Sequence, residues 1–510
     1  MILEIEIEKA KAKAKAKACL INPPTRSLSL RPPLGLMYIS SYLSQHNIDN
    51  HVIDQKGDIP EDVLIDRLVK ETVDVGPDHV GISCLTTDVP CVFKMAKDIK
   101  AELPRTKITV GGVHPTMFPD QMLADENIDY VVLGEGEEIF YDIVCSNEST
   151  DLHSVTGIAF KDNGKIVVNM RRGSIENLDD LPMPAFDKIN MDFYLQPNIH
   201  LVRGIPLRGF YFFSTRGCPY GCRFCVSKNV FGRTIRYRSP LKVVDEIEYV
   251  YKKYNIDAFY LFDDTFGVKK SQAIDLCNAI AKRGLPVVWG CETRVHLINE
   301  EFAKSLKRAG CIQVDFGIES GSERLLKLLQ KGITVDQVRK AVKICRKYGV
   351  RVFSNFMINL PTETEEDVEK TLALADEIKS DISIFNVTCP FPGTELHSYL
   401  KHKLTTDDYT KMSSYVSYRT YIGFIESKCK LSAHNIPIDD LLARIQATVP
   451  APRDIRLKPN LKYMRNFLRY FNFIVNLRYV VCMIKSKEKS SYIKFAVGML
   501  RKRNVSPTKP

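Results

Sequence analysis

Three cysteines fall within eight residues, Cys218, Cys222 and Cys225, in the run STRGCPYGCRFC. Thiolates at this spacing can hold three corners of a cubane iron–sulfur cluster and leave the fourth iron without a protein ligand. An open iron is a place where an exogenous group binds and takes an electron, so the pattern predicts a reaction centre rather than a structural staple. The competing chemistry is a closed zinc site, which needs a fourth ligand from a second pair. Cys277, Cys291 and Cys311 come singly within or beside apolar stretches, where a lone cysteine is usually a small core residue, and zinc is the weaker reading.

A cluster of this kind has to be positioned, and the chain after Phe210 has the pattern to do it. The strand-like runs FYFFST, AFYLFD, VVWGCE, IQVDFGIE, VRVFSNFMIN and ISIFNVT alternate with amphipathic segments such as PLKVVDEIEYVYKKY. Six successive βα units predict an open, partial (βα)6 barrel over residues 210–400, with functional groups at the carboxyl ends of its strands. The three cysteines follow the first strand. Asp263 and Asp264 end the second, and because neighbours on a strand point to opposite faces, only one of them should face the interior. Arg294 ends the third strand, Glu319 and Ser320 the fourth, and Asn355 lies near the end of the fifth.

A second α/β pattern precedes this one. The apolar runs ACLINPP, HVIDQ, HVGISC, KITVGG and YVVLG are separated by helix-like segments, which predicts a doubly wound parallel sheet over residues 18–150. Ligands of such sheets bind at the carboxyl ends of the strands. The groups there are Asn22-Pro23-Pro24, Cys84-Leu85-Thr86-Thr87, Gly111-Gly112-Val113-His114-Pro115-Thr116 and Gly134-Glu135-Gly136-Glu137. Residues 151–209 read as a hairpin turning at Asp162-Asn163-Gly164, followed by a connector stiffened by Pro182 and Pro184.

The C-x3-C-x2-C spacing, with Phe224 before the last cysteine, resembles the cluster motif of the radical S-adenosylmethionine superfamily. The combination NPP, PPLGL, GGVHPT and GEGE resembles the cobalamin-binding domain that precedes the radical core in its cobalamin-dependent members. Together these resemblances span roughly residues 18–400. They imply a [4Fe–4S] cluster on Cys218, Cys222 and Cys225, with the methionyl amine and carboxylate of S-adenosylmethionine on the open iron. They also imply cobalamin in contact with Thr86, Thr87, Gly111, Gly112, His114, Gly134 and Glu135. The D-x-H-x-x-G motif that supplies a cobalt-ligating histidine elsewhere is absent, and His79, directly after Asp78, fails its spacing. The resemblance therefore implies cobalamin whose lower face lacks a histidine.

In the barrel, LFDDTF resembles the position that binds the amino group of S-adenosylmethionine, and the ESGS run around Glu319 and Ser320 resembles a family signature that could bind the ribose. A helix N-cap at that serine is an equally good and compatible reading. Arg294 and Asn355 are further candidates for cofactor contact. The family's G-x-P-G-E-T becomes Asn359-Leu360-Pro361-Thr362-Glu363-Thr364, with both glycines replaced, which puts the close backbone approach at that turn in question. PFPGTEL, residues 390–396, resembles the segment that ends the radical core.

The implied chemistry is reductive cleavage of S-adenosylmethionine to a 5′-deoxyadenosyl radical, hydrogen abstraction, and methyl transfer from cobalamin to an unactivated carbon, or to phosphorus. Cyclisation, oxidation or carbon–carbon coupling of a lipid or tetrapyrrole with the same cofactors is the nearest alternative. A cobalamin sensor or cluster-bearing scaffold is the alternative of another class. A small-molecule or lipid substrate and an electron donor such as flavodoxin or ferredoxin are the implied partners.

Composition bounds these readings. A chain of 510 residues, 45% apolar and 26% charged, suits about three soluble domains. Fourteen cysteines without a signal-peptide pattern suit a reducing, cytoplasmic setting. The net charge of +11 is uneven: residues 451–510 hold fifteen basic and two acidic residues, +13, against 57 and 59, −2, in the rest. The basicity thus belongs to the tail of a C-terminal helical region, 401–510, and a nucleic-acid partner is not expected. Within that tail, Lys462, Arg465 and Arg469 recur at helical spacing among aromatic residues, and the fourteen-residue run from Phe471 to Ile484 is too short to span a bilayer. It suits either an anionic membrane surface or a helical cap on the barrel. The alternating EIEIEKAKAKAKAK within residues 1–17 reads as a solvated leader without assigned function.

Overall fold

The computed structural model describes residues 16–24, 31–54, 61–147, 149–412 and 418–448. The leader up to residue 15 and the basic tail from 449 onward, with its membrane or cap reading, lie outside the described residues.

The first sheet has five parallel strands, β1 (Lys17–Ile21), β2 (Asp49–Ile53), β3 (His79–Ser83), β4 (Lys107–Gly111) and β5 (Tyr130–Val132). The hairpin β6 (Ile158–Asp162) and β7 (Lys165–Val168) extends it antiparallel, in the order β2-β1-β3-β4-β5-β6-β7. The hairpin turns at Asn163 and Gly164, both at positive φ (47° and 79°), as the turn residues predict. Helix Leu34–Gln45 packs with Glu137–Val144, and Glu61–Val75 with Val89–Glu102. The first pair buries Leu36, Leu43, Phe140 and Val144 against Ala18 and Leu20 of β1. Each such side chain contributes about 1.5–3 kcal/mol when fully buried. Gly81 makes room for this layer, because a Cβ there would lie 2.9 Å from Leu20 and 3.0 Å from Phe140.

The second sheet is entirely parallel. Its strands are β10 (Gly209–Phe212), β13 (Ala258–Leu261), β14 (Val288–Thr293), β15 (Cys311–Glu319), β16 (Arg351–Ile358) and β17 (Ile382–Val387), paired in chain order. This is the partial barrel of six βα units. Between them come a hairpin, β8 (Asn198–Val202) and β9 (Ile205–Leu207), ahead of β10, and the paired two-residue strands β11 (Thr215–Arg216) and β12 (Arg236–Tyr237) that flank the cysteine segment. The β8–β9 hairpin was not anticipated. Its turn residue Arg203 reaches Asp315 of β15 at 3.2 Å, and the Arg203 carbonyl accepts from Arg351 at the start of β16.

The barrel helices are capped as their sequences predict. Asn299 accepts from Phe302 N–H, and Thr334 and Thr364 form capping boxes with Gln337 and Asp367. Each cap is worth about 1 kcal/mol. Trp289, fully buried, stacks on Phe259 with ring centroids 5.5 Å apart and donates to the Ala309 carbonyl. Among the described residues, no helix is long and apolar enough to cross a membrane.

Contacts divide the chain into two compact units that are discontinuous in sequence. The first comprises residues up to 193 together with 216–238 and 389–430, and so contains the cysteine segment. The second comprises 194–215, 239–388 and the described residues from 431 onward, and so contains the barrel strands. In the second unit, helix Ile438–Thr448 buries Leu441 and Ile445 against Ile358, Val368 and Leu372.

Candidate functional site

In the first unit the functional loops leave the carboxyl ends of β3, β4 and β5. After β3, Thr86 is buried, Thr87 is half-buried, and Leu85 is 49% exposed. The Asp88 carboxylate accepts from Leu85 N–H and the Thr87 hydroxyl, each at 3.0 Å, which fixes this turn. After β4, Gly112 has φ 108°, and a Cβ would sit 3.0 Å from the Cys84 carbonyl, so the approach of β3 and β4 exits requires glycine. Gly111, beside it, accepts from Cys84 N–H at 2.8 Å. After β5, Gly134 also has a positive φ, 104°, and donates to Thr116 Oγ1.

His114 is fully buried, with both ring nitrogens engaged. Nε2 lies 3.1 Å from the Gln121 side-chain oxygen and Nδ1 3.2 Å from Thr86 Oγ1. This places the proton on Nε2, with Nδ1 accepting from the threonine hydroxyl. Phe118 and Tyr409 flank the ring. Burial pushes its pKa down to about 4, so the imidazole is neutral at physiological pH. His79, likewise buried, is also pushed down to about 4. His114 is thus packed, with both ring nitrogens in hydrogen bonds to Thr86 and Gln121.

Glu135 is committed to protein partners. Oε1 accepts from Arg216 at 3.0 Å, and Oε2 accepts from Arg236 at 2.6 Å and from Ile175 N–H at 2.9 Å. Arg216 also donates to Glu137 at 2.6 Å and lies over the Tyr38 ring, while Arg238 donates to the Tyr38 hydroxyl. The four charged side chains are 3–9% exposed. Burial works against the Glu135 carboxylate, but Arg236 and Arg216 outweigh it and hold its pKa below the usual range.

The cysteine segment hangs from this network. Gly217, at φ 96°, permits the entry turn, since a Cβ would meet the Thr234 carbonyl at 2.3 Å. Cys218 and Cys225 are half-buried and Cys222 is buried, and none of the three is in a disulfide. Ser227 N–H donates to Cys225 Sγ at 3.4 Å. By contrast Cys277, Cys291, Cys311 and Cys345 are buried, and burial pushes the thiols of Cys277, Cys291 and Cys345 up. The segment resembling PFPGTEL lies against the cysteine loop: Glu395 accepts from Lys228 at 2.8 Å, and Asn229 donates to the Gly393 carbonyl. Among the described residues, no three His, Cys, Asp or Glu are grouped around a single metal ion. A cubane, which takes one thiolate on each of three irons, calls for a different arrangement.

In the second unit the strand-end groups separate by role. Asp263 is buried and accepts from Ser214 N–H at 2.7 Å, Thr215 N–H at 2.9 Å and the Ser214 hydroxyl. It staples the exit of β10, while Asp264 is exposed. Glu319, at φ 68°, is buried and paired with Lys331 at 2.7 Å. Arg294 lies beside this pair, its guanidinium 3.8 Å from where a Gly332 Cβ would be. Ser320 faces Thr371 at 3.0 Å and accepts from Ser322 N–H; the N-cap of the following helix is Ser322, so Ser320 precedes the helix start and does not cap it. Asn355 is half-buried on β16, in register with Gly317 of β15.

The turn with replaced glycines keeps glycine-like geometry, with Asn359 at φ 62° and Thr362 at φ 57°. Asn359 Oδ1 accepts from Leu431 and Ser432 N–H and its amide donates to the Thr388 carbonyl; Thr362 is held by Arg324. The close turn is retained because side-chain bonds offset the backbone strain.

Residues 27–144 match the B12 binding domain and residues 212–375 the radical SAM superfamily. An uncharacterized methyltransferase of Pyrococcus horikoshii is 35% identical over 388 residues, covering 74% of this chain and 82% of the relative. The chain belongs to the cobalamin-dependent radical S-adenosylmethionine enzymes. The anaerobic magnesium-protoporphyrin IX monomethyl ester cyclase of Rubrivivax gelatinosus is 28% identical, covering 74% of this chain and 68% of its own. The radical S-adenosylmethionine methyltransferase TsrM of Kitasatospora setae, solved with cobalamin and a [4Fe–4S] cluster, shares the fold at a TM-score of 0.61 and 20% identity, over 76% and 75% of the two chains. The enzymes it resembles in sequence include both methyltransferases and cyclases.

The arginines of the buried network, Arg216 and Arg236, and the Lys331 partner of Glu319 were not anticipated. The signal was present as charge complementarity between GEGE and the RGC and RYR runs, but nothing local pairs positions about a hundred residues apart.

Proposed function

We propose that this enzyme transfers a methyl group to an unactivated carbon of a small molecule, with Cys218, Cys222 and Cys225 as cluster ligands. When bound, the cluster supplies the electron that cleaves S-adenosylmethionine and cobalamin carries the methyl group. The observation carrying this reading is the cysteine segment: three cysteines at C-x3-C-x2-C spacing, outside any disulfide and two of them half-buried, within the unit that bears the cobalamin-type loops.

This chain's own residues bind and orient. Asp264, exposed at the β13 exit, is the one to meet the methionyl amine, whereas Asp263 holds the backbone of Ser214 and Thr215. Glu319, Lys331 and Arg294 form a polar group suited to the ribose and carboxylate, and Asn355 is a further cofactor contact. Gly111, Gly112 and Gly134 shape the loops at the β4 and β5 exits against which a corrin would lie, with Thr87 as a hydroxyl donor at the rim. His114 is saturated by Thr86 and Gln121 and leaves the lower face of cobalt without an imidazole.

The test is anaerobic reconstitution with cluster and cobalamin, a chemical reductant and candidate substrates, read by mass spectrometry. Methyl transfer adds one carbon to the product and forms S-adenosylhomocysteine together with 5′-deoxyadenosine. A cyclised or oxidised product without S-adenosylhomocysteine would instead establish the second reading, which the likeness to the Rubrivivax gelatinosus cyclase favours. A flavodoxin or ferredoxin as donor, and a lipid substrate met at an anionic membrane surface through the tail, rest on the sequence. Flotation with anionic liposomes, full chain against a chain ending near Pro450, tests the latter.

A further inference from the structure

Both ends of the cysteine segment converge on one carboxylate. Arg216, two residues before Cys218, takes one oxygen of Glu135, and Arg236, eleven residues after Cys225, takes the other. Arg216 then bridges to Glu137, so its single guanidinium spans both carboxylates of the loop that leaves β5. The stem is further tied by Arg236 to the Ile175 carbonyl and by Arg171 to the carbonyls of Asn229 and Val230. All of these residues lie in the first unit.

A buried, charge-balanced network of two arginines and two glutamates contributes little net stability, because desolvation cancels most of the attraction. Its best-attested use is to fix register: any slip leaves a buried charge unpaired, at a cost of several kcal/mol. Glycines on either side sharpen this. A Cβ at Gly134 would meet Arg171 at 2.9 Å, and one at Gly136 would meet Ile39 at 2.9 Å, so the acidic loop has one seating.

We propose that Glu135, Glu137, Arg216 and Arg236 are positioning residues that lock the cluster loop to the β5 exit and thereby set the distance between cluster and corrin. Glu135 acts through the arginines and does not contact cobalamin. This rests on the cluster and cobalamin sites of the preceding section.

The experiment is pulsed electron paramagnetic resonance on the full chain, loaded with both cofactors and reduced to cob(II)alamin and [4Fe–4S]+. It reads the magnetic coupling between the two centres and needs no substrate. The native protein should show one narrow coupling. E135Q and R216K, which preserve shape or charge but not the shared grip, should broaden or shift it while iron and cobalamin contents stay native. Arg67→Ala removes the ion pair to Glu71 elsewhere in the same unit and should leave the coupling unchanged. E135Q and R216K proteins with full cofactor loading and the native coupling would overturn the proposal. A native protein that binds no cluster would instead overturn the underlying site assignment.

Discussion

Glu135 in the first unit and Asp263 in the second both lie just past the carboxyl ends of strands of their own sheets, and each is a carboxylate with a buried side chain that grips backbone or side chains of its own unit. They are compensated differently. Glu135 faces two guanidinium groups, whose charge outweighs burial and holds its pKa below the usual range. Asp263 faces only two peptide N–H groups and a hydroxyl; burial exceeds what these dipoles recover, and its pKa is pushed up to about 6. Asp263 is the more deeply buried of the two and has no counter-charge, and the two carboxylates respond to pH in opposite directions because of that difference.

The largest effect expected in this comparison is at the thiols between the two grips. Replacing Cys218, Cys222 and Cys225 together by alanine should abolish iron–sulfur absorbance and S-adenosylmethionine cleavage. Alanine at the buried Cys277 or Cys345 should spare both. Absorbance retained in the triple variant would remove these residues as ligands.

Arg216→Ala comes next, because it strands Glu135 and Glu137 with less compensation. Removing one partner of a buried pair costs on the order of 3–5 kcal/mol. Hydrogen exchange should show that loss as reduced protection across residues 216–238. Native protection there would mean that the network is not what orders the segment.

Asp263 gives a smaller, pH-dependent effect. Its folded pKa lies above the unfolded value, so its contribution to stability is fully present below about pH 4 and is lost as pH rises through 6, by about 3 kcal/mol. Glu135, depressed, works the other way, losing its contribution as pH falls through its folded pKa. Local stability around residues 214–215, measured from pH 4 to 7.5, should decline in the native protein and lose that dependence in Asp263→Asn. An unchanged profile in the variant would show that another group titrates.

The smallest expected effect is none. His114→Ala should leave the electron paramagnetic resonance spectrum of bound cob(II)alamin without nitrogen splitting, as in the native protein, because the imidazole is saturated by Thr86 and Gln121. Native splitting that vanishes in the variant would make His114 a cobalt ligand.

Both parallel sheets were legible because continuous apolar runs and βα alternation are local signals, and every barrel strand from Gly209–Phe212 to Ile382–Val387 lies where an apolar run announced it; the strand order was not predicted. The cysteine segment was legible for the same reason, its chemistry being contained in eight residues. Long-range pairing was not. Which of Asp263 and Asp264 is buried depends on the backbone of Ser214 and Thr215, and the turn at Asn359 keeps a left-handed backbone through bonds to Leu431 and Ser432, some seventy residues on. Contacts, rather than chain order, assign the cysteines to the unit of the first sheet.

The central claim is most directly tested by incubating the full chain, reconstituted with iron, sulfide and cobalamin and chemically reduced without oxygen, with S-adenosylmethionine. Mass spectrometry of the nucleosides should show 5′-deoxyadenosine accumulating with the native protein and absent with the triple cysteine-to-alanine variant. S-adenosylmethionine left intact by a native protein carrying its full cluster would contradict the account.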